Sequence, residues 1–352
     1  MKGRIKILAV LFCMAVGVPA VLNGLSSWKT RVSGAFLRAY PPHLLTAGRS
    51  INLGVNSYYI AGASGPYLLL GNYTNPRVAL RVRTGVMDTM AVALAFPAGK
   101  APSLASRLSV AGPSAFVTDG LQGAVYQADA GQLQFATSGS LSAYGFNQAA
   151  VFDGTHIGLR RYDPLRHQNI LSLYGPGRGQ VTDHAELLTK QVDGVFCTEG
   201  KLLHSTDPAV FIYVYLFRNQ YLVMDSSLSL LSRGHTIDTN SVAKIKVQTY
   251  ADSTRSQLAA PPVVVNRLAA AAQNHLLIAS EVLADNDPDQ VLDGAAIVDV
   301  YELGKGYRES FYLSKQGHKR LSDMSIYNGV LYAVIDQYLY SYALAPTVLA
   351  NK

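Results

Sequence analysis

Two short runs near the end of the chain decide the fold: residues 329–334 read GVLYAV and residues 338–342 read YLYSY. Both runs are rich in β-branched and aromatic side chains, which fit a half-buried pleated surface. Residues 296–301 (AIVDVY) and 310–313 (SFYL) show the same short apolar runs upstream. From Ile51 onward no long helical period interrupts this series. The sequence therefore predicts an all-β protein.

The same succession occurs six times: a small-residue-rich strand, an aromatic-rich strand and a third strand, separated by turns. Repeats of about 40–50 residues with four strands each are typical of propeller blades. Stacking such sheets around an axis buries faces that one sheet cannot bury alone. We expect a β-propeller over residues 51–346, with six blades and seven as the main alternative, and a tail at 347–352. A pair of β-sandwiches would need a linker that the sequence lacks.

Two further expectations concern the outermost strands. The runs Val195-Phe196 and Leu202-Leu203 lie between repeat units and are predicted to form outer fourth strands. Propellers commonly close by pairing strands from both chain ends in one blade. The run 51–53 should therefore lie beside the sheet that contains Tyr338 to Tyr342.

The last third of the chain resembles a known group of proteins. The runs 299–303 (DVYEL), 310–313 (SFYL), 327–333 (YNGVLYA) and 340–342 (YSY) resemble the blades of six-bladed propellers of the NHL and TolB-like kind. They resemble most the exported bacterial members of that group. The resemblance implies a fold and an exported protein. It implies no catalytic residue, because the group has no single shared activity.

The N-terminus is typical of an export segment. The basic residues Lys2, Arg4 and Lys6 precede an apolar run that begins at Ile7, and small side chains follow near Ala20. Residues 1–25 are therefore predicted to be a hydrophobic helix that is either a cleaved signal peptide or a retained anchor. Residues 26–50 form a linker arm with a weak amphipathic, basic helical pattern, suited to a membrane surface or to packing on the domain. We expect a periplasmic or cell-surface protein.

Composition limits the kinds of partner and site. The net charge is +7, and removal of the three N-terminal basic residues leaves +4. The remaining basic residues are scattered, so nucleic acid is not an expected partner. Of the two cysteines, Cys13 lies in the export segment, where the preceding Phe12 argues against lipid attachment, and Cys197 lies in an apolar run. A disulfide framework is therefore not expected, and Cys197 is predicted to be a small buried hydrophobe.

The densest group of oxygen ligands is residues 285–289 (DNDPD). Alternating acidic residues on a loop suit Ca²⁺, which takes six to eight oxygens. Gln290 and Ala296 stand where the calcium-hand motif needs glycine and glutamate, so a solvated turn is the competing interpretation. The hypothetical calcium ligands are Asp285, Asn286, Asp287 and Asp289.

No local motif for nucleophilic catalysis, zinc or phosphate binding is present in the sequence. Polar residues beside apolar strands give a hypothetical ligand site at the rim of the channel, with loop hydrogen bonding as the alternative: Arg218, Asn219, His235 and Asp238. The leading hypothesis is a non-catalytic binding or scaffold protein whose ligand is an unknown protein or small molecule. A lactonase-type hydrolase with a divalent ion in the channel is the alternative, and a cofactor-bearing oxidoreductase is a weaker one.

Overall fold

The computed structural model describes residues 35–141, 145–177, 179–249, 256–318 and 320–351. Within these ranges the chain forms six four-stranded antiparallel sheets, one short hairpin and one helix of four residues. The six sheets are the blades of a β-propeller, so the predicted fold class and the number of six blades are confirmed.

Blades I to V each consist of four consecutive strands, ordered from the channel outward, whereas blade VI combines strands from both ends of the chain. The first strand, β1 (Leu45–Asn52), is the outermost strand of blade VI. Blade I contains β2 (Tyr58–Ser64), β3 (Tyr67–Asn72), β4 (Val78–Arg83) and β5 (Thr89–Ala93). Blade II contains β6 (Ser106–Ala111), β7 (Ser114–Asp119), β8 (Ala124–Asp129) and β9 (Ala136–Ser140). Blade III contains β10 (Gln148–Val151), β11 (Ile157–Asp163), β12 (Gln168–Gly175) and β13 (Gln180–His184).

The second half of the ring includes one insertion. Blade IV contains β14 (Gly200–Thr206), β15 (Ala209–Tyr215), β16 (Gln220–Met224) and β17 (Leu230–His235). A hairpin of β18 (Val247–Thr249) and β19 (Ser256–Leu258) follows it. Blade V contains β20 (Asn266–Ala272), β21 (His275–Ser280), the helix α1 (Val291–Gly294), β22 (Ala295–Glu302) and β23 (Gly306–Ser314). Blade VI contains β24 (Leu321–Tyr327), β25 (Val330–Ile335), β26 (Tyr338–Leu344) and β1.

The ring closes through β1 and β26. The two strands pair antiparallel, with Ile51 opposite Leu339 and Asn52 opposite Tyr338, as the sequence predicts. The innermost strands contact one another in the ring order β2, β6, β10, β14, β20 and β24, and β24 contacts β2 again. Closure pairs β1 with β26 and buries the two blade faces that would lie exposed at the ends of a linear stack of blades.

The core lies between blades rather than within one sheet. Apolar side chains of β21 and β22 in blade V, such as Leu277 and Val298, pack against Leu331 and Ala333 of β25 in blade VI. The second strand of each blade is buried on both faces over most of its length, which explains the nearly unbroken apolar runs in β15 and β21. The outermost strands, such as β17, are mostly exposed and more polar.

Several glycines, among them Gly71, Gly139 and Gly234, lie directly under tyrosine rings of other strands. A Cβ atom added at Gly71 would lie 2.3 Å from Tyr59 Cζ, and one added at Gly139 would lie 2.1 Å from Tyr174 Oη. A Cβ atom added at Gly234 would lie 2.0 Å from Tyr221 Cζ, and these two residues are direct cross-strand partners. Some of the many tyrosines and glycines in the sequence are therefore paired in space, with the ring of a tyrosine packed over a glycine on another strand.

Some elements of the structure differ from those expected from the sequence. Leu202 and Leu203 lie in β14, the innermost strand of blade IV, and Val195-Phe196 lies in the connection before it, so the prediction of outer strands there is wrong. The first propeller strand begins at Leu45, before the predicted boundary at Ile51. Residues 35–40 of the predicted arm are not helical. The predicted export helix and the first part of the arm, residues 1–34, lie outside the described residues. None of the residues that the structure describes form a helix with the length and hydrophobicity of a membrane span.

Candidate functional site at the channel mouth

One end of the propeller brings together the loops between the second and third strands and the connections from blade to blade. The innermost strands begin at this end, which we call the mouth face. The loops at this end are long, and the connection from blade IV to blade V contains the β18–β19 hairpin. Loops held by a rigid sheet scaffold are where binding residues usually lie.

The innermost strands place more basic than acidic residues at the mouth face. Arg107, Lys201 and Arg267 are each the second residue of an innermost strand, and Asp323 is the third residue of another. Asp323 is the single acidic residue in the six innermost strands, all of whose residues are described. Register shifts beside Arg267 and Asp323 mark local bulges, which re-aim side chains.

Lys201 and Asp323 form an ion pair between two blades that are not neighbours. Lys201 Nζ in blade IV lies 3.4 Å from Asp323 Oδ1 in blade VI, so the pair spans the channel past blade V. The other carboxylate oxygen, Oδ2, accepts a hydrogen bond of 2.9 Å from the backbone N–H of Ile60 in blade I. Asp323 therefore connects three blades at the mouth.

Tyr73 and Arg107 form an exposed stack on the side of blades I and II. The Arg107 guanidinium lies 4.4 Å from the centre of the Tyr73 ring, a cation–π contact. Asn72 fixes the Tyr73 loop, because its Oδ1 accepts hydrogen bonds from the backbone N–H groups of Thr74 and Asn75. Partial burial and the Asp323 carboxylate raise the pKa of Tyr73, so its hydroxyl stays neutral and able to donate.

Apolar side chains protrude around this polar centre. Asp119, which is fully buried, orders two of the loops: it accepts hydrogen bonds from Ser103 and from the backbone N–H of Leu121. Leu104 and Leu121 are consequently held out from the surface at 65% and 78% exposure. In the described loops, many more large apolar residues are exposed on the mouth face than on the opposite face, where Val86 is exposed. Those on the mouth face are Val55, Tyr73, Leu104, Leu121, Leu165, Val192 and Val242.

A cleft of about 150 Å³ opens at the mouth face between blades V and VI. Its apolar part is formed by Ala279, Leu292, Ala296 and Leu321, and its polar part by Ser280, Arg267, Glu281, Lys315 and Arg320. The cleft exists because Ala279 and Ala296 are small at this level. Larger side chains, including Leu277 and Val298, fill the interface further down the same strands.

The four residues of the predicted rim site do lie at the mouth face, but three of them are buried. Arg218 Nη1 donates to the Thr189 carbonyl, and its guanidinium stacks on Tyr215 at 3.7 Å. Asn219 Nδ2 donates to the Asp238 carbonyl at 2.6 Å. His235 is exposed at the end of β17, with Nε2 3.4 Å from Gln220 Nε2. These contacts order the loops of blade IV, and a ligand at these residues stays a prediction.

The hypothetical calcium ligands lie between β21 and α1, where the N-terminal arm reaches them. Asp287 pairs with Arg38 at 2.5 Å and accepts hydrogen bonds from the hydroxyls of Tyr40 and Tyr312. Asn286 exchanges hydrogen bonds with the backbone of Arg38. Burial alone would raise the pKa of Asp287, but these hydrogen bonds and the Arg38 charge hold it below its usual range.

Asp285 and Asp289 do not join Asp287 in a metal-like arrangement. The backbone N–H of Asp285 donates to the Phe36 carbonyl, and Asp289 is exposed. Across the described ranges, no group of three or more His, Cys, Asp or Glu side chains is arranged to hold a metal ion. Calcium binding at this loop therefore stays a hypothesis from the sequence, without a ligand set in the structure to support it.

The residues at the channel mouth were not among those singled out from the sequence. The sequence does contain a weak pattern that marks them: a short run with one basic residue at its second position. The runs are SRLSVA (106–111), GKLLHST (200–206) and NRLAAAA (266–272). These runs precede each pair of strongly apolar strands. Because they line a channel, they lack the apolar alternation that identifies a strand in a sheet face.

No protein-family model matches the chain, and no curated protein matches it. Solved structures with a similar fold include the hydrazine synthase of Kuenenia stuttgartiensis, at 9% identity and a TM-score of 0.49, over 87% of this chain and 99% of that one. Virginiamycin B lyase from Staphylococcus aureus is similar at 7% identity and a TM-score of 0.47, over 84% and 99%. A structure of YCF48 bound to D1 peptide is similar at 11% identity and a TM-score of 0.45, over 82% and 79%. At these identities the similarity concerns the fold alone.

Proposed function

We propose that the protein is a non-catalytic binding module that uses its mouth face to hold a segment of a partner protein. The observation that carries the proposal is the Tyr73–Arg107 stack beside the Lys201–Asp323 pair, with the exposed Leu104 and Leu121 around it. Tyrosine and arginine are enriched among the residues that contribute most to the affinity of protein interfaces. A partner segment with carboxylate and apolar side chains matches this surface.

The hydrolase alternative needs several carboxylate and amide oxygens that converge on one point in the channel. The innermost strands supply Asp323 alone as an acidic residue, and its oxygens already accept from Lys201 and Ile60. This set of side chains does not fit a divalent ion, so we do not propose a metal-dependent hydrolase.

We also propose that the domain is exported, and that it belongs with the exported propellers of the NHL and TolB-like kind that its last third resembles. The basic start, the apolar run of residues 7–18 and the resemblance support this proposal. A reporter that is active only outside the cytoplasm, fused after Lys352, should be active. N-terminal sequencing distinguishes the two predicted states: a start near Val21 means cleavage, and an intact Met1 means a membrane-tethered domain.

The binding proposal is tested with peptides selected from a display library on the purified full chain. Their dissociation constants are then measured by fluorescence polarisation on a Tyr73→Ser/Arg107→Ser double variant. We expect at least a tenfold loss of affinity, because loss of an aromatic or arginine anchor commonly costs more than about 1–2 kcal/mol. The control is Val86→Ser, an exposed apolar residue on the opposite face. Equal affinity for wild type and the double variant would contradict the proposal.

A further inference from the structure

The cleft between blades V and VI has more cationic than anionic groups and an apolar floor. Arg267, Lys315 and Arg320 line the cleft together with the carboxylate of Glu281, whose Oε1 lies 3.3 Å from Arg267 Nη1. Lys315 Nζ donates to the Leu292 carbonyl at 2.5 Å, which holds the ammonium at the cleft. Arg320 is exposed at the entrance, next to the floor residue Leu321.

The walls of the cleft are ordered by contacts outside it. Ser280 is buried in the wall, and its Oγ accepts a hydrogen bond of 3.0 Å from Arg38 Nη2. The backbone N–H of Glu281 donates to the Val265 carbonyl, and that of Lys315 donates to the Gly294 carbonyl. The floor residues Ala279, Ala296 and Leu321 are all buried. A cleft with fixed walls loses little entropy when a ligand binds.

We propose that this cleft binds the carboxylate of a ligand with a short apolar stem, with Arg320 and Lys315 at the carboxylate and the alanine floor under the stem. This inference rests on the proposed binding function and gives that function a second, chemically defined site. Guanidinium and ammonium groups form charge-assisted hydrogen bonds with carboxylates, and a planar guanidinium can do so through two N–H groups.

The volume restricts the size of the ligand group. About 150 Å³ is below the range of clefts that enclose a whole drug-sized ligand, and it matches a cavity that holds a ring of six carbons. The cleft thus accommodates a small organic acid, or one acidic side chain or chain end of a peptide. Both sources present the same chemistry: a carboxylate on an apolar stem of a few carbons.

The test uses the full chain and three probes at constant ionic strength: pentanoate, its neutral counterpart pentanamide, and an acetylated peptide with a single glutamate. Binding is followed by NMR titration on wild type, on Arg320→Gln, and on Arg77→Gln, an exposed arginine of blade I on the same face. We expect pentanoate to bind more tightly than pentanamide, and Arg320→Gln to weaken pentanoate binding about tenfold or more. Arg77→Gln should leave it unchanged.

A second variant, Ala279→Val, reduces the cleft without altering charge and should also weaken binding; circular dichroism verifies that each variant is folded. If only the peptide binds and Arg320→Gln abolishes that binding, the site is supported and its ligand is a peptide. If pentanoate binds and Arg320→Gln abolishes that binding, the site is supported and its ligand is a free organic acid. Equal binding of acid and amide, equal binding by wild type and Arg320→Gln, or no binding of any probe overturns the inference.

The outcome is separable from that of the proposed function. The Tyr73→Ser/Arg107→Ser variant keeps the cleft intact and should still bind pentanoate. If the cleft inference fails while selected peptides still lose affinity for that double variant, the binding function stands without this site. If the double variant has no effect but Arg320→Gln does, the cleft is the binding site and the Tyr73–Arg107 surface is not.

Discussion

Arg38 Nε donates a hydrogen bond of 2.7 Å to Asp299 Oδ1, although 261 positions separate the two residues in the chain. Arg38 Nη2 donates to the second oxygen of the same carboxylate at 3.0 Å, so the pair is bidentate. A further contact from Nη1 reaches Asp287, and both side chains of that pair are fully buried. The buried Arg38 side chain therefore joins the arm before β1 to blade V, in addition to backbone hydrogen bonds such as that from the Ser310 N–H to the Ala39 carbonyl.

Replacement of Arg38 by methionine should destabilise the protein strongly. The variant leaves Asp287 and Asp299 buried without their cation, and breaking one partner of a buried pair typically costs about 3–5 kcal/mol. The free energy of unfolding, measured by urea denaturation, tests this. Arg83→Met, which removes an exposed pair with Asp88, is the matched control and should change stability by about 1 kcal/mol or less. A similar small effect for both variants would mean that the arm is not docked.

Asp323→Ala should also reduce stability, by about 1–3 kcal/mol, because it leaves the backbone N–H of Ile60 without its acceptor near the channel. Lys201→Met, which removes only the partly exposed side of the pair, should cost less than about 1 kcal/mol. The free energies of unfolding of the two variants, measured by chemical denaturation, separate the contribution of the Ile60 hydrogen bond from that of the ion pair. A larger loss from Lys201→Met than from Asp323→Ala would show that the ion pair dominates instead.

Gly234→Ala tests the packing of tyrosine over glycine. The added Cβ atom would lie 2.0 Å from Tyr221 Cζ, and Tyr221 is itself buried with its ring 6.0 Å from Tyr301. Overpacking of this kind costs about 1–3 kcal/mol. The control is Gly85→Ala, where no atom lies within 4 Å of the added group. Thermal unfolding should show a lower Tm for Gly234→Ala alone.

Most of the strands that the sequence analysis identified are middle strands of the blades, which are largely buried. The second and third strands of each blade contain long apolar runs, as in β15 and β16, so fold class, blade number and closure could be predicted. The innermost strands β6 and β24 were not recognised, because strands that line a channel carry serine, alanine and single charges. Leu202 and Leu203 are apolar, but the flanking Lys201 and His204 leave β14 without the long apolar run that identifies the second and third strands.

The charged residues at the channel mouth were not predicted, because they lie in innermost strands that the sequence analysis did not recognise. Arg218 and Asp238 were singled out because they adjoin apolar strands, and such residues do reach the mouth face, where they are buried in loop hydrogen bonds. Arg107, Lys201 and Asp323 come from three different blades. Their proximity depends on which side chains the closed ring brings opposite one another across the channel, and no local pattern in the sequence encodes that arrangement.

His204 should make the protein less stable in mild acid. Burial beside Phe152 and Phe211 lowers its pKa to about 4, and the Asp153 carboxylate only partly opposes this. Above about pH 6.5 the imidazole is neutral in both folded and unfolded chains. As pH falls from about 6.5 towards 4, the unfolded chain gains the proton first, so stability is lost over this window.

The His204→Phe variant removes this titration and keeps an aromatic ring in place. We expect the fall in Tm between pH 7 and pH 4.5 to be smaller than in wild type by about 2–4 °C. His43→Phe, at an exposed position, is the control and should retain the wild-type dependence. Parallel Tm curves for wild type and His204→Phe would assign the acid sensitivity to other groups.

Closure of the ring is tested by ending the chain after Gln337. This truncation removes β26, which pairs with β25 on one side and β1 on the other, and it takes away the buried Leu339 and Tyr342. Two strands lose their partners and apolar surface between blades is exposed, so Tm should fall by roughly 10 °C or more. A chain that ends after Leu349 keeps β26, loses the hydrogen bond from Arg308 Nη1 to the Ala350 carbonyl, and should keep a Tm close to that of the full chain.

Addition of a synthetic peptide of residues 338–349 provides the decisive arm of this experiment. If the loss is due to the open ring, the peptide should insert between β1 and β25 as a donated strand and raise the Tm of the truncated chain. A peptide with Leu339 and Tyr342 replaced by serine should fail to do so, because both side chains are buried in the intact ring. An unchanged Tm on truncation would contradict closure through β26, whatever the peptide does.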